Sequence, residues 1–202
     1  MKALGLKAKQ AMKFKATTNS NHKKEVFENK LNQDFNANQL NQKWTADITY
    51  IWTSQGWLYL AVVLDLYNRE VIGWAMSNRI DKLLVCNALK MALWKRRFPA
   101  NVIVHTDRGS QYCSDQYKNL LKDNYLIGSM SAKGCCYDNA VTESFFHSLK
   151  VECLYDYRFK SREKAQQTVF EYIEIYYNKI RMHSAIDYKS PEQYKALEKQ
   201  AS

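Results

Sequence analysis

An α/β domain built on a five-stranded mixed sheet flanked by helices is what this sequence predicts, on three observations. Three strand-like runs, TADITYIW, WLYLAVVLD and EVIGWAMS, follow one another across the short turns SQG and LYNR, which makes an antiparallel meander. Helix and strand patterns then alternate through DKLLVCNALKMALWKRR, NVIVHTD, SDQYKNLLKDN and YLIGSM. Apolar residues make up 46% of the 202 residues and aromatics 13%, enough to bury a core and to argue against wholesale disorder.

Taken in order, residues 1–42 are basic and rich in Asn, Gln and Lys, with no sustained apolar period, and read as an N-terminal arm or linker. In the first strand, alternation places Trp44, Ala46, Ile48, Tyr50 and Trp52 on one face. Thr45, Asp47, Thr49 and Thr53 share the other with Ile51. The second run is almost continuously apolar, as a strand covered on both faces is. The first helix carries apolar residues at 83, 84, 88, 91 and 92 and basic residues in its last turn, an amphipathic pattern with its dipole complemented. DNAVTESFFHSLKVECL and REKAQQTVFEYIEIYYN read as helices, the first capped by Asp138. Ser190-Pro191-Glu192-Gln193 opens a last helix with a cap, a proline at the first position and a capping-box Gln. Residues 43–180 are expected to form the core and 181–202 a helical extension.

Thirty basic residues against twenty acidic ones give a net charge of +10, which suits a polyanion because each neutralised phosphate releases counterions. Net charge alone serves equally a merely soluble basic protein. The longest apolar runs are too short to span a bilayer, and the basic N-terminus lacks the apolar stretch of a secretory signal. Five cysteines without a CxxC spacing fit free thiols in a reducing cytoplasm rather than a zinc site.

Three acids in separate motifs are the candidate site: Asp47 in TADITYIWT, Asp107 in VIVHTDRGSQY and Glu143 in YDNAVTESFFHSLK. Thirty-five residues separate the last two. Hard divalent cations take oxygen ligands and are held by a few carboxylates plus substrate phosphates. A pair of such ions stabilises both the attacking and the leaving oxygen of a phosphoryl displacement. Each acid has a plainer reading by itself. A mid-strand Asp is usually solvent-facing, an Asp before Gly commonly makes an Asx-turn, and Glu143 with His147 and Lys150 at i+4 and i+7 suits a solvated helix face. Taken together the three favour metal binding. His105 shares a face with Asp107, where it either supports the site or simply packs, and Glu152 reads as a surface acid.

The strings WTADITYI, HTDRGSQY, SMSAKGCCYDNAVTESFFHSLKVE and YYNKIRMHSAIDYKSPEQY resemble the transposases of bacterial insertion sequences of the IS-three type. These belong with retroviral integrases in the DDE class. The resemblance runs from about residue 35 to residue 197 and includes the spacing of the third acid. It implies a ribonuclease-H-like core, two Mg²⁺ or Mn²⁺ ions held by Asp47, Asp107 and Glu143, and DNA cleavage and strand transfer without a covalent protein intermediate. Lys150 falls on the family's DNA-contacting lysine, and Asn178, Arg181 and His183 on its Asn-Arg-His element. Lys133, in the glycine-containing loop, is a further phosphate contact.

The partners implied are transposon ends and target duplex, bound by a homo-oligomer in the bacterial cytoplasm at the nucleoid. Such transposases carry a longer N-terminal region of helix-turn-helix character, so residues 1–42 are expected to be its truncated remainder. Two alternatives stay open: a fragment that only binds DNA or regulates, and another ribonuclease-H-like nuclease that cuts without joining.

Overall fold

The computed structural model describes residues 25–132 and 139–201. Its centre is a mixed sheet of five strands: β1 (Lys43–Thr53), β2 (Gly56–Asp65), β3 (Val71–Ser77), β4 (Ile103–Thr106) and β5 (Ile127–Met130). They lie in the order β3-β2-β1-β4-β5. The meander pairs antiparallel, from Trp44 opposite Asp65 to Thr53 opposite Gly56, and β4 and β5 join β1 in parallel. The order of strand-like runs in the sequence thus predicts the mixed sheet correctly.

Helices cover both faces. On one side lie α1 (Lys82–Lys95) and α2 (Asp115–Asp123), packed on Trp44, Ala46, Ile48, Val63, Ile72 and Val104. On the other lie α3 (Ala140–Leu149) and α4 (Arg162–Phe170), whose Phe145, Phe146, Leu149, Ala165 and Val169 meet Ile51, Leu60, Val62 and Leu64. Successive β2 residues therefore feed opposite cores, which is why its sequence is apolar without alternation. The β1 alternation divides as expected, with Trp44, Ala46 and Ile48 toward α1 and Ile51 toward α3 and α4.

The buried stripe of α1 is Leu84, Val85, Cys86, Ala88, Leu89, Ala92 and Leu93, and Leu83 is exposed. The expected set of 83, 84, 88, 91 and 92 was thus rotated. The i, i+4 rows 84–88–92 and 85–89–93 face the sheet, and Leu83 lies beyond them. Asp81 caps this helix by accepting from the Leu84 backbone N–H at 2.9 Å. Gly73 on β3 permits the close approach, since a Cβ there would lie 2.2 Å from the Ala88 carbonyl oxygen.

Beyond its α-helical part, α3 continues through Lys150–Leu154 with wider i→i−5 hydrogen bonding, as in Tyr155 N–H to Lys150 O at 2.9 Å. Such π-type turns recur at functional sites. The continuation of α4, Glu171–Tyr177, does the same. The last helix, α5 (Pro191–Ala201), opens with the reciprocal box foreseen: Ser190 N–H donates to Gln193 Oε1 at 3.0 Å and Gln193 N–H to Ser190 Oγ at 3.3 Å.

The segments on either side of the core are tied to it. Residues 25–42 form no regular helix or strand, yet Phe27 lies against Gly128, Leu31 is buried, and the Lys30 and Leu31 amides donate to Ser129 Oγ. At the other end Asn68 Nδ2 donates to Pro191 O at 3.1 Å, and Tyr194 packs on Tyr67. Among the described residues no helix is long and apolar enough to cross a membrane.

Candidate active site

The parallel β1–β4 ladder pairs Thr45 with His105 and Ala46 with Thr106, so Asp47 and Asp107 are the next residues on adjacent strands. Neighbouring strands lie about 4.8 Å apart. Asp107 is beyond the last β4 residue, at the carboxyl end of a parallel strand, where α/β sheets place ligands. Its Oδ1 accepts from Gly109 N–H at 2.9 Å. The Asx-turn is therefore present, and it aims the carboxylate rather than excluding it from the site.

Glu143 is brought to the same face by α3. Thr142, one residue before it, is fully buried and hydrogen-bonds the Thr45 hydroxyl of β1 at 2.8 Å and Asn139 Oδ1 at 3.0 Å. Asn139 occupies the start of α3, without a side-chain cap bond. Asp138, expected there, lies outside the described residues, as does Lys133.

Burial raises the Asp47 carboxyl well above its ordinary range, and the like charges of Asp107 and, less strongly, Glu143 push it further. Bonds from the Ile48 amide (2.7 Å) and Asn139 only partly oppose this. Like-charge crowding disfavours ionisation and is relieved by a cation. Glu143 faces solvent and is raised by partial desolvation alone. Among the described residues no three His, Cys, Asp or Glu side chains are gathered tightly enough to hold a metal ion. The donor set nevertheless suits one: hard carboxylate oxygens of like charge lie on adjacent strands, with a third acid on the facing helix.

Lys150 does not share the solvated face of Glu143 and His147. It is buried, with Nζ 4.9 Å from the centre of the Tyr50 ring. Burial lowers its ammonium to about 8, while Asp47 pulls it upward. It is therefore the cation placed toward the acids.

The Asn-Arg-His element is turned to other uses. Asn178 is buried, its Oδ1 accepting from Val71 N–H at 2.9 Å and its Nδ2 donating to Val71 O at 3.0 Å. Expected among the DNA contacts, it is instead a tether between the end of the α4 continuation and β3. Both its amide groups are spent on the backbone. Arg181 grips Glu152 through Nε (2.9 and 3.0 Å) and Nη2 (2.7 Å), and Tyr172 Oη donates to the same carboxylate at 2.8 Å. Glu152 is thus an exposed acid, as read from the sequence, and its carboxylate is the anion that holds Arg181. His183 Nδ1 accepts from Arg181 Nη1 at 3.2 Å, and burial followed by the Arg181 charge lowers the imidazole to about 4.

His105 is fully buried between Ser129 (2.9 Å) and Ser131 (3.2 Å). It braces β4 against β5 beneath Asp107. Tyr112, within the HTDRGSQY string but given no role there, is buried close enough to both strand acids that their charge adds to burial in holding its phenol unionised. Among the described residues its hydroxyl meets no hydrogen-bond partner.

The five-stranded mixed sheet with helices on both faces is the fold of the integrase catalytic cores. Solved structures share this fold. The integrase catalytic core of HTLV-2, described in complex with magnesium, aligns with a TM-score of 0.60 at 14% identity over 79% of this chain and 99% of that one. A chain of a simian T-cell lymphotropic virus intasome aligns at 0.66 and 16% identity, over 88% and 60%. The integrase core domain family matches residues 37–136 and again 143–198.

Curated relatives narrow the family further. The transposase InsF of insertion sequence IS3fB from Escherichia coli K12 is 58% identical over 96% of this chain and 67% of its own length. That of IS3A is 59% identical over 94% and 66%. A 31 kDa protein of insertion element IS600 from Shigella sonnei is 49% identical over 96% and 71%. The chain belongs to the IS3-type transposases with an integrase core domain, and spans about two thirds of the length of the relatives it matches.

Proposed function

We propose that this chain is the catalytic core of a DDE polynucleotidyl transferase that cuts DNA at transposon ends and joins the freed strand to a target duplex. The observation that carries this reading is the convergence of Asp47 and Asp107 on adjacent parallel strands, close enough for their like charges to interact, with Glu143 on the covering helix. Asp47, Asp107 and Glu143 would hold two Mg²⁺ or Mn²⁺ ions. Bound there, the ions would lower the pKa of the attacking water or 3′-hydroxyl and neutralise the leaving oxygen.

The protein's own residues have separate tasks. Asp107 is aimed by its Asx-turn to Gly109, and Asp47 is fixed by the Ile48 amide, so the strand acids are set before substrate arrives. Glu143 completes the set as α3 settles on DNA. Lys150 holds a non-bridging phosphate oxygen beside Asp47, and its buried stem limits its alternatives. Lys133 is a further phosphate contact in this reading. Arg181, locked to Glu152, orients the segment that carries His183, and reaches DNA only if it exchanges that partner.

Residues 43–180 form the catalytic core in this reading, with 181–202 a helical extension and 1–42 the N-terminal arm. The net charge of +10 supplies the sequence-independent part of the affinity. The protein works as a homo-oligomer on DNA, in the bacterial cytoplasm with the nucleoid.

The test is incubation of the purified chain with labelled element-end DNA and Mn²⁺. Nicking followed by covalent joining of the 3′ end to a second duplex is expected. Nicking without joining would indicate a nuclease, and binding without nicking a regulatory fragment.

A further inference from the structure

The β1–β2 hairpin ends in an aromatic groove that the three acids leave unused. Its cavity is about 600 Å³, within the roughly 300–1,000 Å³ of sites that take small organic groups. Tyr50, Trp52, Trp57 and Tyr157 line it, with the cations of Lys150 and Arg158 beside them. Trp52 is 60% exposed, Trp57 42% and Tyr157 57%, an amount of open ring surface in one concavity that marks a binding site.

The rings are ordered against one another. Trp52 meets Trp57 edge-on with centres 4.7 Å apart, and Tyr50 meets Trp57 at 5.1 Å and 89°. The hairpin tip is fastened by Ser54 N–H to Phe159 O at 2.9 Å and Arg162 Nε to Trp57 O at 3.2 Å. Lys150 joins the groove to the acids, since it lies over Tyr50 and feels the charge of Asp47. Aromatic walls beside fixed cations, on a chain of net charge +10, fit an anionic strand whose bases have left the stack. They fit an apolar protein segment less well, because a basic rim beside exposed rings matches phosphates and bases together.

We propose that this groove takes one or two unpaired bases of the DNA strand adjoining the phosphate at Asp47 and Asp107. The bases stack on Trp52 and Trp57 while Lys150 and Arg158 hold the flanking phosphates. The inference rests on the DNA-strand reading above and specifies the state of its substrate: the end is opened before it is cut. Bases in an intact duplex have both faces covered, so only a frayed or single-stranded end enters.

The experiment measures binding by the full chain, in chelator, of a short oligothymidylate and of a blunt duplex, with tryptophan emission recorded together with anisotropy. Trp52→Leu and Trp57→Leu should each weaken single-strand binding about ten-fold and reduce its emission quench, with duplex affinity changed less than about two-fold. Trp52→Phe should retain most of the single-strand affinity. Equal losses on both DNAs, or unchanged single-strand binding in both leucine variants, would overturn the proposal. Nicking with Mn²⁺ is scored separately on the parent chain. Stacking without nicking would remove the catalytic reading alone, and nicking with no effect of the leucine variants would remove the groove alone.

Discussion

Two groups of carboxylates lie on this sheet, and their neighbours differ. At the end of β2, Asp65 and Glu70 meet the buried Arg96, whose Nη2 lies 3.2 Å from Asp65 Oδ2 and 2.8 Å from Glu70 Oε2, while Lys95 and Lys195 approach Glu70 at 3.4 and 3.5 Å. Burial raises the Asp65 carboxyl even beside Arg96, whereas Arg96, Lys95 and Lys195 hold that of Glu70 below the ordinary range against burial. At the centre, Asp47 faces Asp107 and Glu143, and its carboxyl is pushed well up. The first group is neutralised by the chain's own cations and ties the β2–β3 turn to α1 and α5. In the second, the charges that bear on Asp47 are those of Asp107 and Glu143, with Lys150 on the other side. Around Glu70 the fold gathers the buried Arg96 and the partly exposed Lys95 and Lys195. On the function proposed above, the crowded acids are kept for a cation and the paired ones for structure.

The largest expected contrast is in activity. Asp47→Asn and Asp107→Asn should each abolish Mn²⁺-dependent nicking while leaving the thermal midpoint in chelator equal to the parent's or higher, because each removes like-charge repulsion. A clearly lower midpoint in both would place these acids with the structural group. Arg96→Met should do the reverse, lowering stability by about 3–5 kcal/mol since Asp65 and Glu70 lose their shared partner in a buried setting. Urea unfolding measures it, and a loss below about 1 kcal/mol would show that Lys95 and Lys195 carry that cluster.

A smaller effect separates the Arg181 clamp from both groups. His183 is lowered in the folded chain to about 4 from 6.5, so the unfolded chain binds its proton first as the pH falls. The stability His183 contributes is fully present above pH 6.5 and is lost progressively between 6.5 and about 4. His183→Phe should flatten the dependence of the urea midpoint on pH across that window, and an unchanged slope would exclude the imidazole as its source.

The features legible in the sequence are those that depend on local pattern. Turn residues and period-2 alternation give the meander, and the Ser190 box is a four-residue signal. Asp47 stands out because a carboxylate in mid-strand lacks a local reason, whereas Asp107 has one in its Asx-turn and gains weight only beside the other acids. The one-residue register that makes them neighbours is visible only in the Ala46–Thr106 pairing. The role of Asn178 was hidden because its partner, Val71, is 107 residues away. The α1 face was rotated because apolar residues occur on several sides of that helix, so composition could not choose the buried stripe. The groove draws Trp52 and Trp57 from one hairpin and Tyr157 from a loop a hundred residues later, a juxtaposition that no spacing announces.

On the proposed function, the crowded central acids take a divalent cation. Calorimetric titration of Mn²⁺ into the metal-free chain at pH 7 tests this most directly, run beside Asp47→Asn and Asp107→Asn. Saturable binding by the parent, with a matching rise in its thermal midpoint, and loss of both in each variant is the predicted result. Undiminished binding and stabilisation in both variants would contradict it.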